Sequence, residues 1–431
     1  MNEKQAGTMS EGVPSESTAT RMVSLDVGRL RMQFPALQRK GPTGHPLVYL
    51  DSPGGTQVPQ RVVDAVGNYL VESNSNIEGE FAASRSTDEL ILKAREYGST
   101  FVGGQQGSVT FGQNMTTLNF LLSRAVGRTL QPGDEILTTT LDHDANVSPW
   151  LLLAQDRGLV VREIGVTDDL QLDMDELRKK ITKRTRVVAF TLASNAVGTL
   201  TPARQIADLA HEAGALVWVD AVHFAPHRRI DVVELGCDVL ICSPYKFFGP
   251  HLGMAWIGPD LAEGLPAERV RPASEWPLGH RFETGTLSHE ALAGFVAAVE
   301  YLADLGHGAN LSSRLSTAYA AIAVHEQTLA EHFLAGFRSL DGWRLLGVED
   351  AVSSNRVSTF GLLGPATPSV LARQLGDNGI YVWNGNFYAL NLVRHLGLDE
   401  EQGLLRLGFC HYNTVDEVDY LLGALAEMTS G

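Results

Sequence analysis

Cysteine is scarce in this chain of 431 residues: Cys237, Cys242 and Cys410 are all it has. An odd number, at spacings that match no zinc or redox motif, excludes a disulfide framework and fits a reducing, cytoplasmic compartment. No apolar run approaches the roughly 20 residues of a membrane-spanning helix. Charge is sparse and one-sided, with 19% charged residues and 50 Asp plus Glu against 34 Lys plus Arg, a net charge of −16. That field repels a nucleic-acid backbone and an anionic membrane, so neither is an expected partner. The first twenty residues hold Ser, Thr, Gly and Glu but no apolar stretch of the signal-peptide kind, and residues 1–22 read as a disordered tail. No repeat of solenoid length is present. What is abundant is apolar side chain, 44% of the total, enough for a sizeable core. A small-molecule enzyme is the expectation.

From about residue 58 to 310, helical periodicity alternates with short β-branched runs bounded by Gly, Pro or Asp. This is the pattern of a mostly parallel sheet covered by helices. Strands are predicted at 108–111, 135–140, 159–164, 187–192, 215–219, 239–242 and 254–257, and a helix at 23–37. The pattern breaks at Gly306 and Gly308, and a long helix is predicted from 311 to 335. Beyond it, strand-like pieces at 358–362, 380–383 and 404–408 mix with helices. The expected organisation is an N-terminal segment, 23–57, packing on a small α+β domain, 311–431, beside a large domain, 58–310.

Lys246 follows the apolar strand ending at Cys242, in Cys-Ser-Pro-Tyr-Lys-Phe-Phe-Gly-Pro. Ligands of open α/β sheets bind at the carboxyl ends of strands. A loop lysine is ordinarily just solvated, but Asp220 ends another buried run, Leu-Val-Trp-Val, 26 residues earlier. A carboxylate there needs a cation or hydrogen bonds. A lysine able to form a Schiff base and an acid facing a pyridinium nitrogen are what pyridoxal 5'-phosphate requires. Asn114-Met-Thr-Thr117 lies between a strand and a helix, where amides and hydroxyls suit a phosphate dianion; an ordinary N-cap is the plainer reading of those residues alone.

Six stretches in order, Tyr49-Leu-Asp-Ser-Pro-Gly-Gly-Thr56, Asp142-His-Asp-Ala-Asn146, Ser194-Asn-Ala-Val-Gly-Thr199, Val219-Asp-Ala-Val-His223, Ser243-Pro-Tyr-Lys246 and Glu283-Thr-Gly-Thr286, resemble the class V aminotransferase family. The likeness is to its cysteine desulfurase-like branch and, more distantly, to isopenicillin N epimerase. It spans residues 25 to 428. The resemblance implies a fold-type I α/β architecture with a large, mixed, mostly parallel seven-stranded sheet and a smaller C-terminal α+β domain. It implies that Lys246 carries pyridoxal 5'-phosphate as a Schiff base, that Asp220 keeps the pyridine nitrogen protonated, and that His143 stacks on the ring and is a candidate proton carrier. His223 and Asn195 would meet the phenolic oxygen, and Asn195 also the substrate carboxylate. Met115, Thr116 and Ser243 would hold the phosphate, joined by Thr286 from the neighbouring subunit of a homodimer. Arg406 would grip the α-carboxylate of an amino-acid substrate. No metal is implied.

The chain departs from that pattern where it matters for chemistry. Desulfurases carry a persulfide-forming cysteine on the loop that here reads Asn-Gly-Asn-Phe-Tyr-Ala-Leu, 384–390, and about Tyr388 takes its place. Tyr245 stands where a histidine is usual, and Trp383 where arginine is frequent. Trp383, Phe387 and Tyr388 together point to a bulkier or more apolar substrate than cysteine. The expected reaction is β-elimination from an S-substituted cysteine, a carbon–sulfur lyase. Transamination, epimerisation and decarboxylating oxidative deamination of another amino acid are the alternatives, and a non-catalytic scaffold is the alternative of another class.

Overall fold

The computed structural model describes residues 25–42, 44–104, 108–350 and 355–428; the expected N-terminal tail lies outside them. In chain order the strands are β1 (Val48–Tyr49), β2 (Val109–Gly112), β3 (Glu135–Thr139), β4 (Val160–Ile164), β5 (Thr185–Thr191), β6 (Leu216–Asp220), β7 (Val239–Cys242), β8 (Gly253–Ile257), β9 (Arg344–Leu346), β10 (Thr359–Leu363), β11 (Ile380–Tyr381), β12 (Trp383–Gly385) and β13 (Leu404–Gly408).

Seven strands form one sheet in the order β2-β8-β7-β6-β5-β3-β4. β4, β3, β5, β6 and β7 run parallel, and β8 alone runs against its neighbours. The seven-stranded, mostly parallel α/β sheet expected from the sequence is therefore present. Its central strands read as unbroken apolar runs because both faces are covered: every residue of β7 is buried, as are Val217, Trp218 and Val219 of β6. Trp218 meets Trp150 edge to face at 4.9 Å, and both are fully buried. Burying a large apolar side chain contributes about 1.5–3 kcal/mol, so such pairs hold the helices onto the sheet.

A second sheet, antiparallel and in the order β12-β13-β10-β9, lies in the C-terminal part, and β1 pairs in parallel with β11. Its core joins Phe333 of the long helix Leu311–Phe337, Phe360 of β10 and Phe409 with Val48 and Leu50 around β1. The chain crosses back to this sheet before building the large one: Ser52 Oγ donates to the Gly408 carbonyl at 3.0 Å. The turn following β1 is thus carried by the strand that bears Arg406.

Two details differ from the sequence reading. The helix predicted at 23–37 is a short α-helix, Val27–Arg31, and a separate 3-10 turn, Pro35–Gln38. Pro35 cannot donate to a helix interior, and its ring disfavours helical backbone at Phe34, which is extended. β9 was not foreseen. It has three residues with only Leu346 buried, too short for an alternation to show.

Candidate active site

The segments that carry Met115, His143, Asn195, Asp220 and Lys246 leave the large sheet at the carboxyl ends of β2, β3, β5, β6 and β7. β2 runs into the helix Met115–Gly127, capped by Asn114, whose side chain accepts from the Thr117 amide at 2.8 Å. The first-turn amides of Met115 and Thr116 have no acceptor within the helix. Gly253 permits this approach, since a Cβ there would stand 2.4 Å from the carbonyl carbon of Asn114.

After β3, Asp142 accepts from the amide and hydroxyl of Thr139 at 3.0 and 2.7 Å and from Asn146 Nδ2 at 2.9 Å, tying the turn that presents His143. His143 Nδ1 accepts from the Ala145 amide at 3.0 Å, so a neutral ring carries its proton on Nε2. Burial, aided by the charges of Lys246 and Arg406, pushes its pKa down to about 3. The ring of Tyr388 lies 5.2 Å away, tilted by 34°.

At the end of β6, Asp220 accepts from the Val222 amide at 2.8 Å. Burial pushes its pKa up to about 6, against the pull of that amide and of Lys246. His223, three residues on from Asp220, puts Nε2 2.9 Å from the hydroxyl of Thr359 and leaves Nδ1 buried without a partner. Past β7, a single turn, Pro244–Lys246, aims the lysine back over the sheet. Its Nζ donates to the carbonyls of Pro53 and, at 2.9 Å, Gly54. Burial and the nearby Arg406 push its pKa down to about 7, with Asp220 and Asp51 opposing.

Met115, Thr116, His143, Asn195, Asp220, His223 and Lys246 line one cavity. Thr191, Ala193, Val222 and Tyr245 complete its walls, and none of them is assigned a role in holding cofactor or substrate from the sequence. Ser243 is buried beside it at the base of the lysine turn, its carbonyl accepting from the Lys246 amide at 3.0 Å. Thr286 is outside: it is exposed and lines a second cavity with Gln113 and Thr117, beyond the same helix start. Trp383 and Tyr388 are also outside, 52% and 68% exposed. Trp383 lines a neighbouring cavity of about 550 Å³ that shares Tyr245 as a wall.

Arg406 is fully buried among carbonyls and rings. Its Nη1 donates to the Asn195 carbonyl at 3.1 Å, its guanidinium carbon lies 4.0 Å from the Phe387 ring centroid, and its Nε has no partner. No carboxylate pairs with it among the described residues, and burial pushes its pKa down to about 9. Asp51 went unremarked in the sequence except as part of a motif. It has one buried, unpartnered carboxylate oxygen, and its pKa is raised by burial against the pull of its own backbone amide, Arg406 and Lys246. The clue was an acid directly after an apolar strand, the same signal that marked Asp220.

The donor set fits pyridoxal 5'-phosphate. Amides and a threonine hydroxyl stand at a helix start, a carboxylate lies at the end of a central strand, and a depressed primary amine follows the next strand. His223 Nδ1 and Asn195 Oδ1 are buried polar atoms lacking partners, and such atoms are rare unless something binds them. The sequence pattern described as Aminotransferase class-V matches residues 48–421. The chain belongs to this family. Its members are pyridoxal-phosphate-dependent enzymes, and this class V chain is one of them.

The chain is 32% identical over 422 residues to the probable cysteine desulfurase 2 of Mycobacterium leprae, covering 94% of this chain and 97% of that protein. It is 31% identical over 413 residues to the aminotransferase-like protein FGM3 of Gibberella zeae, covering 93% and 98%. A cysteine desulfurase of Synechococcus elongatus is 32% identical over 95% of this chain, which spans 64% of that longer protein. Among solved structures, the apo cysteine desulfurase of Thermococcus onnurineus matches in fold at a TM-score of 0.84 and 24% identity, over 95% of this chain and 99% of that one. The cysteine desulfurase CsdA of Escherichia coli matches at 0.81 and 25%, with the same coverage.

Proposed function

We propose that this class V enzyme is a carbon–sulfur lyase that cleaves S-substituted cysteines, releasing a thiol, pyruvate and ammonia. The observation that carries this reading is the loop 384–390, which has Tyr388 and no cysteine, together with the burial of all three thiols elsewhere. A persulfide cannot form where no thiol reaches the substrate, so sulfur would have to leave as a thiol.

Bound through Lys246, pyridoxal 5'-phosphate supplies the electron sink that makes the substrate's α-hydrogen acidic. Asp220 would face the pyridinium. The amides of Met115 and Thr116, with the hydroxyls of Thr116 and Ser243, would hold the phosphate, and Asn195 would meet the phenolic oxygen alongside His223. Arg406, a buried guanidinium with no ion-pair partner among the described residues, would take the substrate carboxylate bidentately. Once the substrate's amino group has displaced it, Lys246 would be a free amine that burial holds near pKa 7, largely unprotonated at about pH 8 and able to take the α-proton as general base. The Cβ–S bond would then break with both electrons on sulfur, which takes a proton and leaves as the thiol, and water would hydrolyse the released 2-aminoacrylate, through its imine, to pyruvate and ammonia. His143 remains neutral and offers a flat ring face, and Tyr388 and Trp383 would contact the sulfur substituent at the mouth.

We also infer a cytoplasmic homodimer in which 58–310 forms the cofactor-bearing domain, 311–431 the small domain, and 23–57 a segment lying on the latter. Thr286 supports the dimer reading, since it is exposed beside the start of the phosphate-facing helix yet outside its own protomer's cavity. The scaffold reading would require a colourless protein. The deciding experiment offers the purified, yellow enzyme a panel of cysteine conjugates and other amino acids. Stoichiometric thiol and pyruvate from the conjugates support the lyase. Pyridoxamine phosphate would mark transamination, an inverted α-carbon epimerisation, and an aldehyde decarboxylating oxidative deamination.

A further inference from the structure

His223 lines the cavity and joins the small sheet through one of its ring nitrogens. Nε2 lies 2.9 Å from Thr359 Oγ1, and Nδ1 is buried with no partner. Burial, reinforced by His227, Lys246 and Arg406, holds its pKa well below the usual value, so the imidazole is neutral with a single proton. Which nitrogen carries that proton is fixed by the partner of the other. His227 does not compete for Nε2: it meets His223 edge to face at 75° and is engaged through Nδ1 with Glu326 at 2.7 Å.

Thr359 is fully buried, and its main chain cannot drift. Arg356 Nη2 donates to its carbonyl at 2.6 Å, and β10 pairs it with Gly408 of β13. A Cβ on Gly198 would stand 2.4 Å from that same carbonyl, so the opposing turn is pressed against it. Only the hydroxyl hydrogen is free to choose a direction. If it points to Nε2, the ring proton sits on Nδ1 and the cavity receives a donor. If Nε2 holds the proton, the cavity receives a bare lone pair, which would repel an anionic oxygen.

We propose that Thr359 is a positioning residue: its hydroxyl donates to Nε2 of His223, fixes the Nδ1–H tautomer, and makes His223 a hydrogen-bond donor to the phenolic oxygen of the cofactor. The identity of that acceptor rests on the cofactor reading above, whereas the tautomer is a property of the protein alone. The same β10 strand pairs Gly361 with Arg406, so one strand supports both the substrate grip and the donor state of His223.

The test is nitrogen-15 NMR of histidine-labelled protein, with and without pyridoxal 5'-phosphate, beside cofactor titrations of Thr359→Val and Thr359→Ser. Wild type should show His223 protonated on Nδ1 in both states. Thr359→Val should lose that preference and bind the cofactor roughly 3- to 10-fold more weakly, the value of one net hydrogen bond, and Thr359→Ser should restore both. A wild-type His223 protonated on Nε2 overturns the proposal, as does a folded Thr359→Val with unchanged tautomer and affinity. If Thr359→Val does not fold, the wild-type spectrum and the serine variant decide. Wild type that binds no cofactor would sink the cofactor reading, while the apoprotein spectrum would still judge the role of Thr359.

Discussion

The guanidinium of Arg406 lies 4.0 Å from the ring centroid of Phe387, and the Phe387 carbonyl in turn accepts from the side chain of Asn195 at 2.9 Å. Phe387 adopts a left-handed backbone, φ 53°, and so does Tyr388, φ 57°. Non-glycine residues avoid that region at a cost of order 1–3 kcal/mol unless the surroundings demand it. The loop that lacks a cysteine is therefore held in place by the large sheet's Asn195 turn and shapes the face of the arginine.

Arg406→Lys follows from this geometry. A lysine keeps the charge but loses the planar fork and the stacking on Phe387. We expect KM for an α-carboxylate substrate to rise about 10- to 100-fold, the value of a charge-assisted hydrogen bond. Cofactor affinity should hardly move. Steady-state kinetics with parallel cofactor titration check this, and equal losses in both would show that Arg406 supports the fold instead.

Lys246→Met should alter the pH dependence of apoprotein stability. The lysine titrates near 10.5 when unfolded and near 7 in the folded chain, so between those values the folded state has released a proton that the unfolded state keeps. Wild-type stability gains from this site as pH rises from 7 to 10.5, and below 7 the burial penalty is fully present. The methionine variant carries no such penalty. Its melting temperature should exceed that of wild type most at pH 6, by an amount on the order of a few kcal/mol in stability, and the gap should close toward pH 10. A constant gap would contradict the depressed amine. The variant should also be unable to hold a borohydride-reducible chromophore.

How much of this was legible in the sequence depended on range. Lys246 and Asp220 each follow an unbroken apolar strand, a local signal, and the parallel order of β6 and β7 places them side by side. Arg406 could be assigned only by resemblance, because what sets it apart, burial with no carboxylate partner among the described residues, arises when β13 packs beneath the Asn195 turn. Thr359 left no trace at all. It is one threonine opening the strand Thr-Phe-Gly-Leu-Leu, and its role depends on a 2.9 Å contact across 136 residues. The N-terminal helix was read too long because hydrophobic periodicity persists through Pro35 although the backbone cannot.

The thiols provide a third prediction. Cys237, Cys242 and Cys410 are all buried, and burial pushes each thiol well above its ordinary pKa. Reactivity needs thiolate and access, and these residues have neither. Native protein at pH 8 should resist iodoacetamide over hours and label at all three positions once denatured. Incubation with cysteine should leave no protein-bound persulfide by mass spectrometry. A stoichiometric persulfide on any of the three would restore the desulfurase reading.

Gly54→Ala tests how tightly the turn after β1 confines the substrate side. Gly54 lies between three groups: a Cβ there would stand 3.1 Å from the Asp51 carbonyl oxygen, 3.1 Å from Trp383 Cε3 and 3.3 Å from Arg406 Nη2. The carbonyl belongs to a turn closed by the Gly54 amide at 2.7 Å and cannot yield, so the indole and the guanidinium must give by a few tenths of an ångström. Small displacements of a positioning group weaken catalysis out of proportion to their size. KM should rise several-fold with cofactor affinity retained, since the phosphate-facing helix start is untouched. Gly55→Ala serves as the control, because its Cβ would meet only Tyr245, 3.4 Å from the ring and 3.9 Å from the carbonyl oxygen, which are ordinary contacts. Equal effects from the two substitutions would mean that the turn responds as a whole and that Gly54 does not set the spacing between Trp383 and Arg406.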